Sequence, residues 1–522
     1  MEQHVSLLWR MLLFFVDVCH LAVKYGGKIV RYGCLVFTAR GMNMKQQAMN
    51  PFLPSYEYIP DGEPHIFEGR IYLYGSHDRF DGASFCLNDY VTYSCPVDDL
   101  SSWRYEGVIF QKKQDPKPGH SLLSSMFAPD VCKGADGRYY LYYFIGYRSE
   151  ISVAVSSSPK GPFSYYGKVA YSDGTSLGKK GESLQFDPGV FVDEDGRIYL
   201  YTGFGPKHRS LFMLSHRPSD EVTGFELSSD MKTIKDSFSI SVPSVRKSKG
   251  TSYEGHAFFE ASSMRKFQGR YYFIYSSELG HELCYAMSSS PRGPFEYKGT
   301  LVSIGDIGLG NHSDPKSACN FTGNTHGSVL EVNGEYYVFY HRQTNRHQFS
   351  RQACAEKLFM REDGTFSQAR VTSSGLNGKP LCGIGKYETR IACVLKKKGG
   401  NRFYSIFKGR KGKELYFTQT GKDREENGDQ YLANISDGAL FGFRSFDLEN
   451  TKEFVLELFG KGKGVVTLSR DEEGKEVLSS APFEINGKGE VVLPLHFHSP
   501  DADLYLSFRM KGHVSSRYFS LR

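Results

Sequence analysis

One short pattern returns five times in this chain at a nearly constant interval, and that interval constrains the fold more than any other feature. It occurs at Gly69–Tyr74, Gly137–Tyr142, Gly196–Tyr201, Gly269–Ile274 and Gly334–Phe339, each time a glycine followed by alternating tyrosine and aliphatic residues. The glycines lie 68, 59, 73 and 65 residues apart. A repeat of that length, built from strands and turns without helical periodicity, reads as the blade of a β-propeller. A second repeat lies further along the unit: Ala154–Phe163 returns as Ala286–Phe295, with weaker echoes at Tyr93–Pro96 and Leu214–Pro218. Each echo ends a strand in a Pro/Gly turn. The fold class expected is all-β, a five-bladed β-propeller followed by a β-sandwich.

The domain boundaries follow from where the period stops. Residues 46–382 hold the repeats and form the expected propeller, and residues 1–45 are an extension ahead of it. Residues 383–522 change to short alternating runs at 453–459, 464–469, 490–498 and 503–509, as expected of a β-sandwich. Gly460-Lys461-Gly462-Lys463-Gly464 lacks the spacing of a phosphate loop and is expected to be a turn joining two of these strands.

Charge and cysteine usage exclude several classes. Net charge is only +6 over 522 residues, and the basic cluster from Lys396 to Lys413 is interrupted by glycines, so no nucleic-acid partner is expected. The ten cysteines are scattered singly, without metal-ligand spacing, which suits a reducing cytoplasm. Leu12–Val16 is apolar, but Arg10, Asp17, His20 and Lys24 interrupt it, so no membrane span is expected. Met42, Met44 and Met49 suggest a start further downstream.

A chemistry-bearing residue precedes each of the five glycines by seven to nine positions: Asp61, Asp130, Asp187, Glu260 and His326. In a propeller these positions converge on one axis, where several carboxyls are costly to bring together. Glycoside hydrolysis uses two carboxyls, one protonated to serve the leaving oxygen and one ionised to activate water or attack the sugar. Glu260, flanked by aromatic residues that reduce its solvation, suits the acid. Asp130 would hold it protonated by like-charge repulsion, and Asp61 would be the base.

At these residues the sequence resembles glycoside hydrolase family 43 over roughly residues 50 to 380. The resemblance is carried by Asp61 with Tyr74–Asp78, by Ala128-Pro129-Asp130, by Asp187–Phe191, and by Phe259-Glu260-Ala261. It implies a hydrolase of xylan-degrading carbohydrate metabolism, an α-L-arabinofuranosidase or β-xylosidase that inverts configuration and releases non-reducing-end pentose from oligosaccharides. It assigns Asp61 as general base, Glu260 as general acid and Asp130 as the group that tunes and orients the acid. Asp187 and Arg351 are assigned to substrate binding. His326 matches a histidine that faces an axial, water-coordinated calcium in many relatives. No cofactor is required, and a structural calcium is the one metal the resemblance allows. Glu63, close to Asp61 and directly before Pro64, is the residue most easily mistaken for the base.

The region after residue 383 resembles, loosely, a family 6 carbohydrate-binding module. Neither of the chain's two tryptophans, Trp9 and Trp103, lies in it, so a purely structural sandwich is equally consistent. Two rivals to the hydrolase remain at the level of sequence: a non-catalytic sugar-binding propeller, and a retaining fructan-type glycosidase. The latter needs Arg-Asp-Pro and Glu-Cys contexts that do not occur here.

Overall fold

The computed structural model describes residues 22–25, 28–31, 47–116, 125–146, 149–209, 213, 216–401, 403–404, 414–425 and 429–522. Residues 1–46 and 47–522 form separate units. In the first, Ala22–Tyr25 pairs antiparallel with Lys28–Arg31. The apolar run Leu12–Val16 and most of the basic cluster beyond Lys398 fall outside the described residues. No helix among the described residues is long and apolar enough to cross a membrane.

Five sheets follow in chain order, one per sequence repeat, antiparallel except where Ala170–Tyr171 joins the third in parallel with Thr233–Pro243. Blade 1 runs Glu63–Phe67, Arg70–Tyr74, Tyr90–Pro96 and Arg104–Phe110. Blade 2 begins at Met126–Lys133, blade 3 at Gly189–Val192, blade 4 at Phe258–Phe267 and blade 5 at Ser328–Val332. Blade 5 has three strands, and the ring closes where Gly62 bridges Gly327. The repeated glycines sit in the tight turns after the innermost strands with φ near +80°, a conformation that glycine adopts without cost.

The two sequence repeats are physically linked. The last tyrosine of the first repeat is buried between blades and donates its hydroxyl to the Ser-Pro turn of a neighbouring blade. Tyr74 donates to the Pro159 carbonyl at 2.6 Å, and Tyr201 to the Pro291 carbonyl at 2.8 Å. A buried tyrosine needs such a partner; Tyr142 finds its own in the Met231 carbonyl, where the chain has no Ser-Pro turn.

The C-terminal region departs from the expected short strands. Three long strands, Glu453–Ser469, Val477–Pro494 and Ala502–Leu521, belong to a nine-stranded sheet system around an apolar core containing Phe443, Phe454 and Phe519. Gly460–Gly464 is not a turn. It lies inside Glu453–Ser469 and pairs with strands on both sides. Glycine is needed there because the neighbouring strand passes too close for a side chain: a Cβ on Gly464 would sit 2.2 Å from the Arg509 carbonyl oxygen. Residues 47–522 form one compact unit. Buried Arg444 helps explain why, since it pairs with Asp306 from the propeller and donates to Glu472 at 2.7 Å.

Candidate active site

The innermost strands bring Asp61, Asp187, Glu260 and His326 to one end of the axis. Asp61 and Asp187 both take left-handed backbone (φ 57° and 46°), which turns each carboxyl inward from just ahead of its strand. Glu260 is aimed differently. The pairing of Phe258–Phe267 with Arg270–Ser277 slips on either side of it, and Ala261 has φ 70°. Such a bulge re-aims a side chain out of the sheet's alternation.

Asp61 is held as a carboxylate. Arg351 donates from Nη1 to its Oδ1 at 2.8 Å. Burial alone would raise its pKa, but the charge of Arg351, and after it that of His326, keeps it below the ordinary value. His341 donates from Nε2 to the Asn324 carbonyl at 2.9 Å and accepts the Asp61 backbone N–H at Nδ1. Burial and then the nearby Arg351 charge hold His341 neutral, with a pKa lowered to about 3.

Glu260 sits in the opposite regime. Burial first, and then the like charges of Asp187 and Asp61, push its pKa up to about 8. These influences act through desolvation and charge, not hydrogen bonds, so the carboxyl is protonated at neutral pH and open to a substrate. Phe259, next to Glu260 in the chain, packs in a T-shape on Phe204 at 5.1 Å, and Phe204 in turn on Phe186 at 5.3 Å.

Asp130 does not do what the sequence led us to expect. Its Oδ1 lies 2.7 Å from His65 Nε2 and accepts the Val131 N–H, while its Oδ2 accepts the Val190 N–H at 2.8 Å. Both oxygens are committed to tying blade 2 to blades 1 and 3. The strongest like charge acting on Glu260 is Asp187, which was expected to bind substrate. Asp187 Oδ2 lies 3.6 Å from His326 Nδ1. Burial pushes Asp187 up, and His326 opposes that shift.

Arg351 is also more committed than expected. It donates from Nε and Nη2 to the two oxygens of Asp78, from Nη1 to Asp61 and from Nη2 to Cys86 Sγ. A guanidinium has five N–H groups, so at most one remains for a sugar hydroxyl. Asp78, His341 and Arg265 were missed from the sequence as functional residues. Asp78 stood in a recognised motif and could have been flagged, whereas His341 and Arg265 lie in ordinary strand patterns.

Beside the axis, Glu63, His65 and Asp130 bring ligand atoms within 4.8 Å of one another, but both Asp130 oxygens already accept hydrogen bonds, and the group does not fit a calcium ion. Hard cations want several oxygen ligands. Below His326, Glu63 Oε2 accepts from Arg265 Nη2 at 2.6 Å and from Ser263 Oγ at 3.0 Å, leaving only its buried Oε1 unpaired. His326 faces carboxylates with both ring nitrogens, Asp187 and Glu63 (3.6 and 3.8 Å). Burial disfavours its charge, but these two acids outweigh burial and keep it protonated, without a lone pair for a metal. Glu63 is therefore an ion-pair partner of Arg265, not a base. Of the other acid and histidine groups, His256, Glu282 and Cys284 lie close together in blade 4. Their polar atoms are already paired, His256 with Glu282 at 2.7 Å and Glu282 with Ser277 and Thr300.

Comparison with known proteins gives this chain's relatives. The model of Glycosyl hydrolases family 43 matches residues 67–366. A xylosidase/arabinosidase of Thermoclostridium stercorarium is 43% identical over 486 residues, covering 92% of this chain and 99% of that protein. A xylosidase/arabinosidase of Bacteroides ovatus is 30% identical over 316 residues, covering 56% of this chain and 87% of the relative. Among solved structures, a β-xylosidase/α-arabinofuranosidase from a compost microbial metagenome, in complex with xylotriose and calcium-free, is 26% identical. It covers 62% of this chain and 98% of its own, with a TM-score of 0.48.

Proposed function

This chain belongs to glycosyl hydrolases family 43, and from that premise we propose that it is an inverting glycosidase releasing α-L-arabinofuranose or β-D-xylose from the non-reducing ends of oligosaccharides. Its glycosidase chemistry requires no cofactor. The pentose is supported by the printed activity of the Thermoclostridium and Bacteroides relatives. Eight unpaired cysteines among the described residues support a cytoplasmic setting.

One observation carries the reading: two carboxyls of the same axial cluster are driven in opposite directions, Asp61 down and Glu260 up to about 8. That split is what an acid and a base sharing one site require. Glu260 gives its proton to the glycosidic oxygen as the bond to the anomeric carbon breaks. Asp61 takes a proton from the water that attacks the opposite face, so configuration inverts. Asp187 keeps Glu260 protonated between turnovers, and Arg351 holds Asp61 ionised and in place. Arg265 and His326 supply the positive charge of the channel in place of a metal.

The test compares wild type with Glu260→Ala on aryl pentosides and on pentose oligosaccharides. An aryl leaving group needs little protonation. The expected result is therefore a loss of about 10²-fold or more on oligosaccharides and a smaller loss on aryl substrates. Equal small losses on both would remove Glu260 from the acid role.

A further inference from the structure

The segment 75–89, between the second and third strands of blade 1, forms a wall of the site. Phe85 lies under the Arg351 guanidinium, 4.8 Å from ring centroid to Cζ, and packs edge-on against Phe349 at 4.7 Å. Cys86 donates its N–H to Asp78 Oδ1 at 2.9 Å and accepts from Arg351 at its Sγ. The far side of this loop is anchored on blade 2, where Met126 N–H donates to the Cys86 carbonyl and Ser125 Oγ to the Phe85 carbonyl.

The neck of the loop is tied by its own Asn88, which donates to the His77 and Asp78 carbonyls, and is tied a second time from outside the propeller. Asp423, in the C-terminal region, accepts the Phe80 N–H at 2.6 Å with Oδ1 and the Asn88 side-chain amide at 3.0 Å with Oδ2. One carboxylate thus spans the entry and the exit of the loop. The neighbouring residue repeats the attachment, with Arg424 donating to buried Glu57 at 2.8 Å. The opposite loop, which carries Phe349, is tied to the same region: Asn345 donates its N–H to the Phe417 carbonyl at 2.8 Å and its side-chain amide to Asp81 at 2.9 Å.

We propose that Asp423 is a positioning residue for the reaction, clamping the neck of loop 75–89 so that Phe85 and Cys86 hold Arg351 against Asp61. The C-terminal region is then part of the catalytic unit and not a separately tethered sugar-binding module. The inference rests on the reading of Asp61 as the base.

The test uses the full chain with Asp423→Ala and Asp423→Asn. Asparagine keeps an acceptor for the Phe80 N–H but offers an amide to Asn88, so its effect should fall between wild type and alanine. The first readout is the rate at which iodoacetamide labels buried Cys86 in the folded protein, mapped by peptide mass spectrometry. The second is kcat, KM and the acid limb of kcat/KM on an aryl pentoside. Asp61 is faced by Arg351, His341 and His326 and by the acids Asp78, Asp187 and Glu260. Of these Asp78 lies on the loop and Arg351 touches it; Arg351 is the foremost charge on Asp61, so its loosening moves the acid limb to higher pH. Asp423→Ala is expected to label Cys86 about tenfold faster and to lose about tenfold in kcat, as a small misplacement near reacting groups does.

The proposal is overturned if labelling, kcat and acid limb all match wild type. It is equally overturned if activity falls only in proportion to unfolded protein while the folded remainder keeps the wild-type pH profile. Should wild type hydrolyse no pentoside, the Asp61 reading fails. The labelling rate still decides the clamp, because unchanged labelling removes it.

Discussion

Arg351 and Asp61 are separated by 290 positions in the chain and meet at 2.8 Å inside the propeller, Nη1 donating to Oδ1. The pair lies across the seam where blade 5 closes on blade 1. The contact that prepares the base therefore also depends on ring closure, and fold and chemistry share one ion pair.

Replacing Arg351 by methionine leaves Asp61 and Asp78 as buried carboxylates without their partner. Breaking such a pair costs about 3–5 kcal/mol, so a marked fall in melting temperature is expected. The sign of the pH effect follows from Asp61 being held low. Its contribution to stability is fully present above its unfolded value near pH 4 and is lost as pH falls through the folded value. In the variant that low value relaxes upward, and the acid limb of kcat/KM moves to higher pH. A pH–rate profile of residual activity checks this.

Asp187→Asn and Asp130→Asn should separate the two aspartates. Removing the charge of Asp187 takes away the foremost like charge on Glu260, so the basic limb, expected near pH 8 in wild type, moves to lower pH. Asp130→Asn breaks its link to His65 and leaves the basic limb where it was. It lowers stability by about 1–3 kcal/mol. Parallel pH profiles and denaturant titrations read both effects.

Chelation should change nothing. With the axial charges of Glu63 and Asp187 already opposed by Arg265 and His326, dialysis against EGTA is expected to leave kcat and melting temperature intact. Arg265→Met, by contrast, strands buried Glu63 and should cost about 3–5 kcal/mol. Thermal melts with and without chelator and added calcium distinguish the cases.

Ending the chain after Cys382 should not yield a working propeller. Asp306 would lose Arg444, the clamp on loop 75–89 would vanish, and Phe321, which packs in the C-terminal core, would be exposed. Insoluble or protease-sensitive protein is expected, checked by limited proteolysis of the truncated chain.

The blades were readable because each is local: a glycine turn and alternating strand residues sit within one repeat, as at Gly137–Tyr142. The axial placement of Asp61 and Glu260 was readable for the same reason, each standing eight or nine positions before that turn. Asp130 and Asp187 share the same phase, and no count along the chain separates them. What separates them is spatial: Asp187 faces His326 and acts on Glu260, whereas His65 engages Asp130. The long strand through Gly460–Gly464 was hidden because its glycines serve close strand packing instead of a turn. The attachments made by Arg444 and Asp423 join residues more than a hundred positions apart, so local spacing carries no trace of them.

The most direct test of the central claim is proton NMR of the sugar as it is first released by wild-type protein. An aryl β-D-xyloside should give α-xylose first, and an aryl α-L-arabinofuranoside should give the β-anomer first, before mutarotation mixes them. First release of the anomer present in the substrate would mean a covalent glycosyl-enzyme. It would contradict the assignment of Asp61 as a base acting through water.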